Sequence, residues 1–443
     1  MNSNITIHFS NLGPIKGPES VTLRPLMIFS GASSIGKSYL AMLVHYVYRI
    51  ITGHELVKFL TDNKIDYDLL KTKMGHKDGL MYQICIQDFQ EWVDSNALLY
   101  MRKLLGNPNF NATIHVEFPD LPPTFSFYYS VQTANTKNNG QTDSFGTIKF
   151  EEANDSISML MGTNWGGYPF YTLLTNYFHL KYGINSDLER TFFMPPSRGS
   201  LIAVPDKTRL DIQNVMGMYQ EFLSDLSYLK SRETNRKPST NLKTAQLILQ
   251  KEILQGDIII KESELVYHVN TIDIPITAAA SSIKEISPFA LMIQKKVLGN
   301  YSVLFEEPES HLHPELQVKV AELMGYALQE GTHLQITTHS DYILRHLNDL
   351  IRLHLLKKLM TDEDFTSYCE KTRYNPNITI NPLDVAAFYL FVDEHGNSII
   401  KQQDTSKGIP FDTFEEVIKS QMGRSVDLYE QVEYYMEKEG ENK

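Results

Sequence analysis

Cysteine is nearly absent from this chain: its 443 residues hold two, Cys85 and Cys369, far apart and in no metal-ligand spacing. That argues against a disulfide scaffold and for a reducing compartment. Long apolar runs are missing too. No stretch approaches the ~18–20 residues that a bilayer-spanning helix needs. The first residues, MNSNITIHFSNLG, lack the basic start and apolar middle of a secretory signal. The expectation is a soluble, cytoplasmic protein with no membrane contact. An excess of positive charge is also lacking. Lys and Arg number 41 against 53 Asp and Glu, a net charge of -12, so a general polyanion-binding surface is not expected. DNA binding is not indicated, although net charge says nothing of a local basic groove. What the chain does have is globular composition, 42% hydrophobic, and ample length for a sizeable core.

Ile5 to Phe9 reads as a short strand, Val21 to Leu23 as a partner for it, and Leu26 to Phe29 as a compact apolar strand. A helix is expected from about Ser38 to Ile51, where Leu40, Leu43, Val44, Val47, Ile50 and Ile51 recur at helical spacing, with Gly53 as its stop. Between residues 54 and 257 the signal is mixed. Ile114 to Phe118 and Thr124 to Val131 alternate like strands, and a helical pattern from about Arg209 to Leu254 is broken by LKSRETNRKPSTNLK. That basic stretch reads as an exposed loop between two helices, or else as a nucleic-acid contact. Ile258 to Val269 and Ile272 to Ile276 resemble an antiparallel pair. From Ser281 helices and strands alternate: helix to about Leu298, strand Tyr301 to Phe305, helix Pro314 to Gln329, strand Leu334 to Thr337, and helix from Asp341. Such alternation implies parallel strands covered by helices. Val385 to Val392 and Ser398 to Lys401 look like a closing hairpin before an acidic helix.

Three segments carry chemistry. Gly31-Ala-Ser33-Ser34-Ile35-Gly36-Lys37-Ser38 satisfies G-x-x-x-x-G-K-[ST] and sits between a strand and a helix. Its glycines let successive backbone N–H groups curl around phosphate oxygens. Lys37 supplies a point charge, Ser38 a hydroxyl for Mg2+, and the helix dipole favours the same anion. In the second segment, Val303-Leu-Phe-Glu306-Glu307-Pro-Glu309-Ser-His311-Leu-His313-Pro314, an apolar strand delivers adjacent carboxylates at its end. There Glu306 would hold Mg2+ and Glu307 would polarise the attacking water. His311 and His313 also form an H-x-H, which in other settings binds metal. The third segment, Ile336-Thr-Thr-His339-Ser340, offers a His to the γ-phosphate or the lytic water, with Ser340 as a helix cap.

In this order the three segments resemble the ABC-type ATPase heads of the RecF, OLD and Gabija-like group, known as AAA-15 or AAA-21 domains. The E-E-P-E-x-x-L-H-P string is the most specific part. The resemblance covers the N-terminal segment through the first helix and the region from about 280 to 345. It implies an α/β P-loop NTPase with an ABC-type head: a mixed sheet with an antiparallel β subdomain and an inserted, mainly helical lobe. The head is expected in residues 1–53 and 258–443, and the lobe of mixed helix and strand in 54–257. Lys37 and Ser38 would belong to Walker A, Glu306 and Glu307 to Walker B, and His339 would be the switch histidine. The expected nucleotide contacts are Gly31, Ser33, Ser34, Ile35, Gly36, Lys37 and Ser38, with ATP and Mg2+ as ligands. Ser38 and Glu306 would hold the metal, and Glu307 and His339 would be catalytic.

Two departures stand out. Many relatives have Asp where this chain has Glu306. The signature segment, which in such heads faces the partner's γ-phosphate, is here Ala280-Ser281-Ser282-Ile283, with Ile where Gly is usual. Ser282-x-x-Glu285 fits a capping box, yet Ser287-Pro288 is an equally good helix start. Arg198 in Pro-Pro-Ser-Arg198 resembles a P-x-x-R element of these heads, which either contacts phosphate or ties down a loop.

By the same resemblance the heads form a homodimer, or a higher homo-oligomer, around ATP. The nearest analogues are ATPase components of anti-phage systems such as PARIS, Septu and the retron-associated ATPases, which sense infection or restrain a toxic effector. No TOPRIM-like acidic cluster follows the core, so the effector would be a separate protein. The competing readings are a RecF-like DNA-repair ATPase, a non-hydrolysing ATP-gated scaffold and, least in keeping with the E-E-P-E string, a small-molecule P-loop kinase.

Overall fold

The computed structural model describes residues 4–62, 80–121, 123–135, 142–150, 156–161, 175, 178–179, 181–185, 187–204, 217–233, 237–410 and 412–441. The chain opens with an antiparallel pair, β1 (Thr6–Ser10) and β2 (Glu19–Thr22), and then β3 (Leu26–Gly31), buried at every residue. Cover on both faces explains its unbroken apolar run. Helix α1 (Lys37–Ile51) buries Leu40, Leu43, Val44, Val47, Ile50 and Ile51, the residues at helical spacing. Each such side chain contributes roughly 1.5–3 kcal/mol by leaving water.

Next come α2 (Leu56–Asp62), β4 (Leu80–Cys85), α3 (Ile86–Leu105), β5 (Thr113–Glu117), β6 (Thr124–Asn135), β7 (Thr142–Phe150) and β8 (Ser156–Met161). They are followed by β9 (Arg190–Met194), a short α4 (Arg198–Ile202), α5 (Gly217–Ser231) and α6 (Thr240–Ile248). A meander of β10 (Asp257–Lys261), β11 (Glu264–Val269) and β12 (Ile272–Pro275) leads into α7 (Ser281–Gln294), β13 (Tyr301–Glu306), α8 (Pro314–Gln329), β14 (His333–Thr338) and α9 (Asp341–Leu359). After α10 (Asp362–Thr372), the hairpin β15 (Val385–Val392) and β16 (Ser398–Gln403) precedes α11 (Asp412–Glu441).

The central sheet has six strands in the order β16-β15-β3-β14-β13-β9. All its neighbours run parallel except β16, which closes the sheet antiparallel to β15. Three antiparallel sheets accompany it, β2-β1-β5, β10-β11-β12 and β4-β6-β7-β8. The register sets the site. Thr338 pairs with Ser30, Glu306 with Thr337, and Phe305 with Met194, so the carboxyl ends of β3, β14, β13 and β9 finish level along one edge. α1 packs beneath β13 and β14. In an open α/β sheet that edge is where ligands bind.

The structure departs from the sequence reading in three places and decides one alternative left open. Segment 54–257 is not a self-contained insertion, because β5 pairs with β1 and β9 forms an edge of the central sheet. Phe192, Phe193 and Met194 are fully buried there, which fixes β9 to the head rather than to a separate lobe. The expected strand from Ile258 to Val269 is two strands, joined by Glu262 and Ser263, both at positive φ (49° and 68°). That is the backbone of a tight hairpin turn, built without the Gly or Asn that would announce it. Of the two helix starts left open, α7 takes Ser281, so Ser287-Pro288 lies inside it. The lost backbone donor at Pro288 is outweighed by the buried face of Ile283, Ile286, Phe289, Ala290 and Ile293. Lastly, the capping box at Ser282 does not form: Ala280 is the N-cap, no side chain caps the helix, and Glu285 turns to Arg198 instead.

Candidate nucleotide site

The loop after β3 is shaped by backbone that side chains would obstruct. Gly31 sits at φ 129°, and a Cβ there would lie 2.1 Å from the Leu390 carbonyl oxygen of β15. Gly36, at φ 102°, is the N-cap of α1, and a Cβ on it would meet Ile15 at 2.9 Å. Ser33 and Ser34 are exposed on the loop and Ile35 is buried beneath it. Lys37 curls back over this loop, its buried Nζ donating to the carbonyls of Gly31 at 3.2 Å and Ala32 at 2.5 Å. Burial lowers the Lys37 pKa, while the carboxylates of Glu307, Glu309 and Glu306 raise it. The lysine therefore faces the three acidic groups delivered by β13.

The Ser38 hydroxyl donates to Glu306 Oε2, which links the start of α1 to the end of β13. Glu306 is buried, and its Oε1 has no hydrogen-bond partner. Burial pushes its pKa up to about 7; Glu307 adds to the rise, whereas Ser38, Arg198 and Lys37 oppose it. An orphaned carboxylate oxygen beside a hydroxyl is a donor set suited to a hard divalent cation, and Mg2+ completes such a pair with water. The residues present thus fit Mg2+, which Ser38 and Glu306 would hold. The longer Glu side chain, where Asp is usual, still reaches Ser38.

Glu307 lies just past the strand at φ 45°, its N–H bonded to the Thr337 carbonyl at 2.9 Å and its Oε2 accepting from Ser310 Oγ at 3.4 Å. The half-buried carboxylate is close enough to Lys37 and His339 to shift both. His339 is exposed beyond β14. Partial burial and the Lys37 charge lower its pKa, while Glu307 and a bond to the Gly31 backbone raise it. Ser340 next to it caps α9, accepting from Ile343 N–H at 3.1 Å. His311 and His313 remain exposed on the loop into α8.

Glu309, quoted in the sequence string but given no role, joins the two strand ends. Its Oε2 accepts from Thr338 Oγ1 at 2.9 Å and its Oε1 from His339 N–H at 2.6 Å. Arg198 is a second tie. It is fully buried, with Nε donating to the Glu285 carbonyl (2.9 Å) and Nη1 to those of Pro195 (3.1 Å) and Glu306 (2.7 Å). Nη2 donates to the Glu307 carbonyl at 3.4 Å, Glu285 Oε2 lies 3.5 Å from Nε, and the guanidinium covers the Phe305 ring. Burial lowers its pKa to about 10, against the pull of Glu285 and the other acidic residues. Of the two sequence readings, this geometry is the loop tie: the donors are spent on the backbone of β13's exit. Ser281 and Ser282 occupy the first turn of α7, exposed and half-buried, and among the described residues neither side chain bonds the loop of its own chain.

Part of the chain is similar to a known family. A family model described as "AAA domain, putative AbiEii toxin, Type IV TA system" matches residues 289–345, the stretch that holds β13, α8 and β14. No curated protein matches the chain. Solved structures similar to it include an SmcHead bound to the C-winged helix domain of ScpA, at 11% identity and TM-score 0.37, covering 91% of this chain and 99% of that one. The SMC head domain from Thermotoga maritima is 10% identical at TM-score 0.29, covering 90% and 98%. A Smc head domain with an extended coiled coil, bound to the C-terminal domain of ScpA derived from Pyrococcus furiosus, is 10% identical at TM-score 0.33, covering 94% and 98%. The strand order is that of an α/β fold with a mixed sheet, and residues 289–345 within it are similar to an AAA domain. No helix among the described residues is long and apolar enough to cross a membrane.

Proposed function

We propose that the chain binds Mg·ATP and hydrolyses it at the edge where β3, β13 and β14 end. The observation that carries this is the Ser38–Glu306 bond with its orphaned second oxygen, set between Lys37 and Glu307. Gly31, Ser33, Ser34, Ile35, Gly36, Lys37 and Ser38 cradle the triphosphate. Lys37 exchanges its two carbonyl acceptors for phosphate oxygens. Glu307 orients the attacking water and takes its proton, and His339, held by Glu309, stabilises charge on the transferred group. Bound Mg2+ would neutralise phosphate charge during the transfer.

The finer reading concerns assembly and purpose. Two heads close around ATP, with Ser281 and Ser282 at the start of α7 facing the partner's nucleotide, a place where a helix N-terminus favours anions. The exposure of Ser281 at the first turn of α7 supports a role in trans. The cycle acts on a separate effector in anti-phage defence. The family description, a putative toxin of a type IV TA system, supports the part of this reading that involves a second component.

A mixing experiment tests the shared site. Lys37→Ala and the double variant Ser281→Arg with Ser282→Arg are each expected to be inactive alone. Mixed, they form heterodimers with one intact composite site, and roughly a quarter of wild-type turnover returns. No recovery on mixing, with both variants folded, would overturn the trans role.

A further inference from the structure

Every residue of α11 from 419 to 436 is exposed, although the helix is amphipathic. Met422, Val426, Tyr429, Val432, Tyr435 and Met436 are between 46% and 70% exposed, all on one side of the helix. Gly423, Asp427 and Glu430 take the other side, together with Tyr434 (55% exposed). Met422, Ser425, Tyr429, Val432 and Met436 recur at alternating intervals of four and three, the seam of a two-helix coil. A face of this kind in water calls for a cover.

We propose that the cover is the same helix of a second copy, paired antiparallel, in an association that needs no nucleotide. The sequence of the seam is complementary to itself in that direction only. Antiparallel pairing about a two-fold axis sets Met422 against Val432 and Ser425 against Tyr429, a small side chain opposite a large one at the central layers. Parallel pairing would stack Tyr429 on Tyr429 and leave Ser425 facing Ser425. Charge agrees with size. Lys419 and Glu433 flank the seam on the same side, and the antiparallel register brings each beside the other's counterpart, twice per pair. The parallel register sets Glu433 beside Leu428 instead. At about 100 Å2 of removable surface per side chain, two copies of the stripe reach the ~1,200–2,000 Å2 that a specific interface buries.

This interface is independent of the ATP site and is separable from it by experiment. Sedimentation of the full chain carrying Lys37→Ala, without nucleotide, should show a dimer at micromolar concentration. Tyr429→Glu, on an exposed surface, should raise its dissociation constant at least about a hundredfold. Lys419→Glu or Glu433→Lys alone should weaken the dimer about tenfold by turning two attractive pairs repulsive, and the two together should restore it. Residues 419 and 433 lie about 21 Å apart along one helix, so restoration cannot come from within a chain. A monomer at these concentrations would overturn the proposal and leave the face to another partner. A dimer unaffected by Tyr429→Glu, or not restored by the charge exchange, would overturn the antiparallel pairing.

Discussion

Arg198 decides whether the exit of β13 is held from within or shaped by nucleotide. Its guanidinium makes hydrogen bonds to the carbonyls of Pro195, Glu285, Glu306 and Glu307 and pairs with the buried Glu285 carboxylate. Arg198→Met keeps the bulk but leaves that carboxylate and those carbonyls without their donor. Removing one member of a buried pair costs about 3–5 kcal/mol, and each stranded acceptor adds on the order of 1 kcal/mol. The expected loss of stability is therefore at least about 4 kcal/mol, enough to remove much of a typical domain's margin. Arg198→Lys keeps the charge but not the planar fork, and should lose about 2 kcal/mol. Urea unfolding of the nucleotide-free chain measures both, with an unchanged m-value showing that stability alone has moved. If Arg198→Lys unfolds with the wild-type midpoint while its ATP affinity falls tenfold, the residue is a phosphate ligand and the tie is refuted.

Other parts of the site give sharper kinetic signatures. Glu309→Gln keeps shape but weakens the hold on His339 N–H and Thr338, so turnover should fall about tenfold with nucleotide affinity little changed; a rise in KM alone would contradict the positioning role. Gly31→Ala should abolish ATP binding, because its Cβ would lie 2.1 Å from the Leu390 carbonyl oxygen at a φ of 129°; isothermal titration checks this. Acid should destabilise the fold through buried His333, whose pKa burial lowers to about 4 and whose Nδ1 meets Tyr48 Oη at 2.9 Å. Between pH 6.5 and 4 the unfolded chain takes up a proton at this site that the folded chain refuses, so stability drops as pH falls, by about 2 kcal/mol at pH 5. His333→Gln should flatten that part of the pH–stability curve, and an unchanged slope would refute the assignment.

The parts readable from sequence were those where a local signal and the tertiary demand coincide. Pro314 marks the first turn of α8, Ser340 caps α9, and the fully buried β3 and β13 are unbroken apolar runs that end in the residues bearing the chemistry. Three segments far apart in the chain meet at one edge because β14 lies between β3 and β13. What escaped the reading depended on distant pairing. β9 joins the sheet through Phe305 and Met194, and β5 joins β1, neither of which any local pattern encodes. Arg198 could not be assigned from its motif because its acceptors are backbone carbonyls, which carry no sequence signature. The same holds for the Glu262–Ser263 turn, where the hairpin imposes a left-handed backbone on residues that do not advertise it.

The central claim is hydrolysis by the Lys37, Ser38, Glu306 and Glu307 group. The measurement that tests it most directly is phosphate release at saturating Mg·ATP for wild type and Glu307→Gln, with nucleotide binding measured on the same samples. The account predicts turnover in wild type and, in the variant, intact binding with turnover lowered at least about a hundredfold. Equal turnover in the two proteins would contradict it.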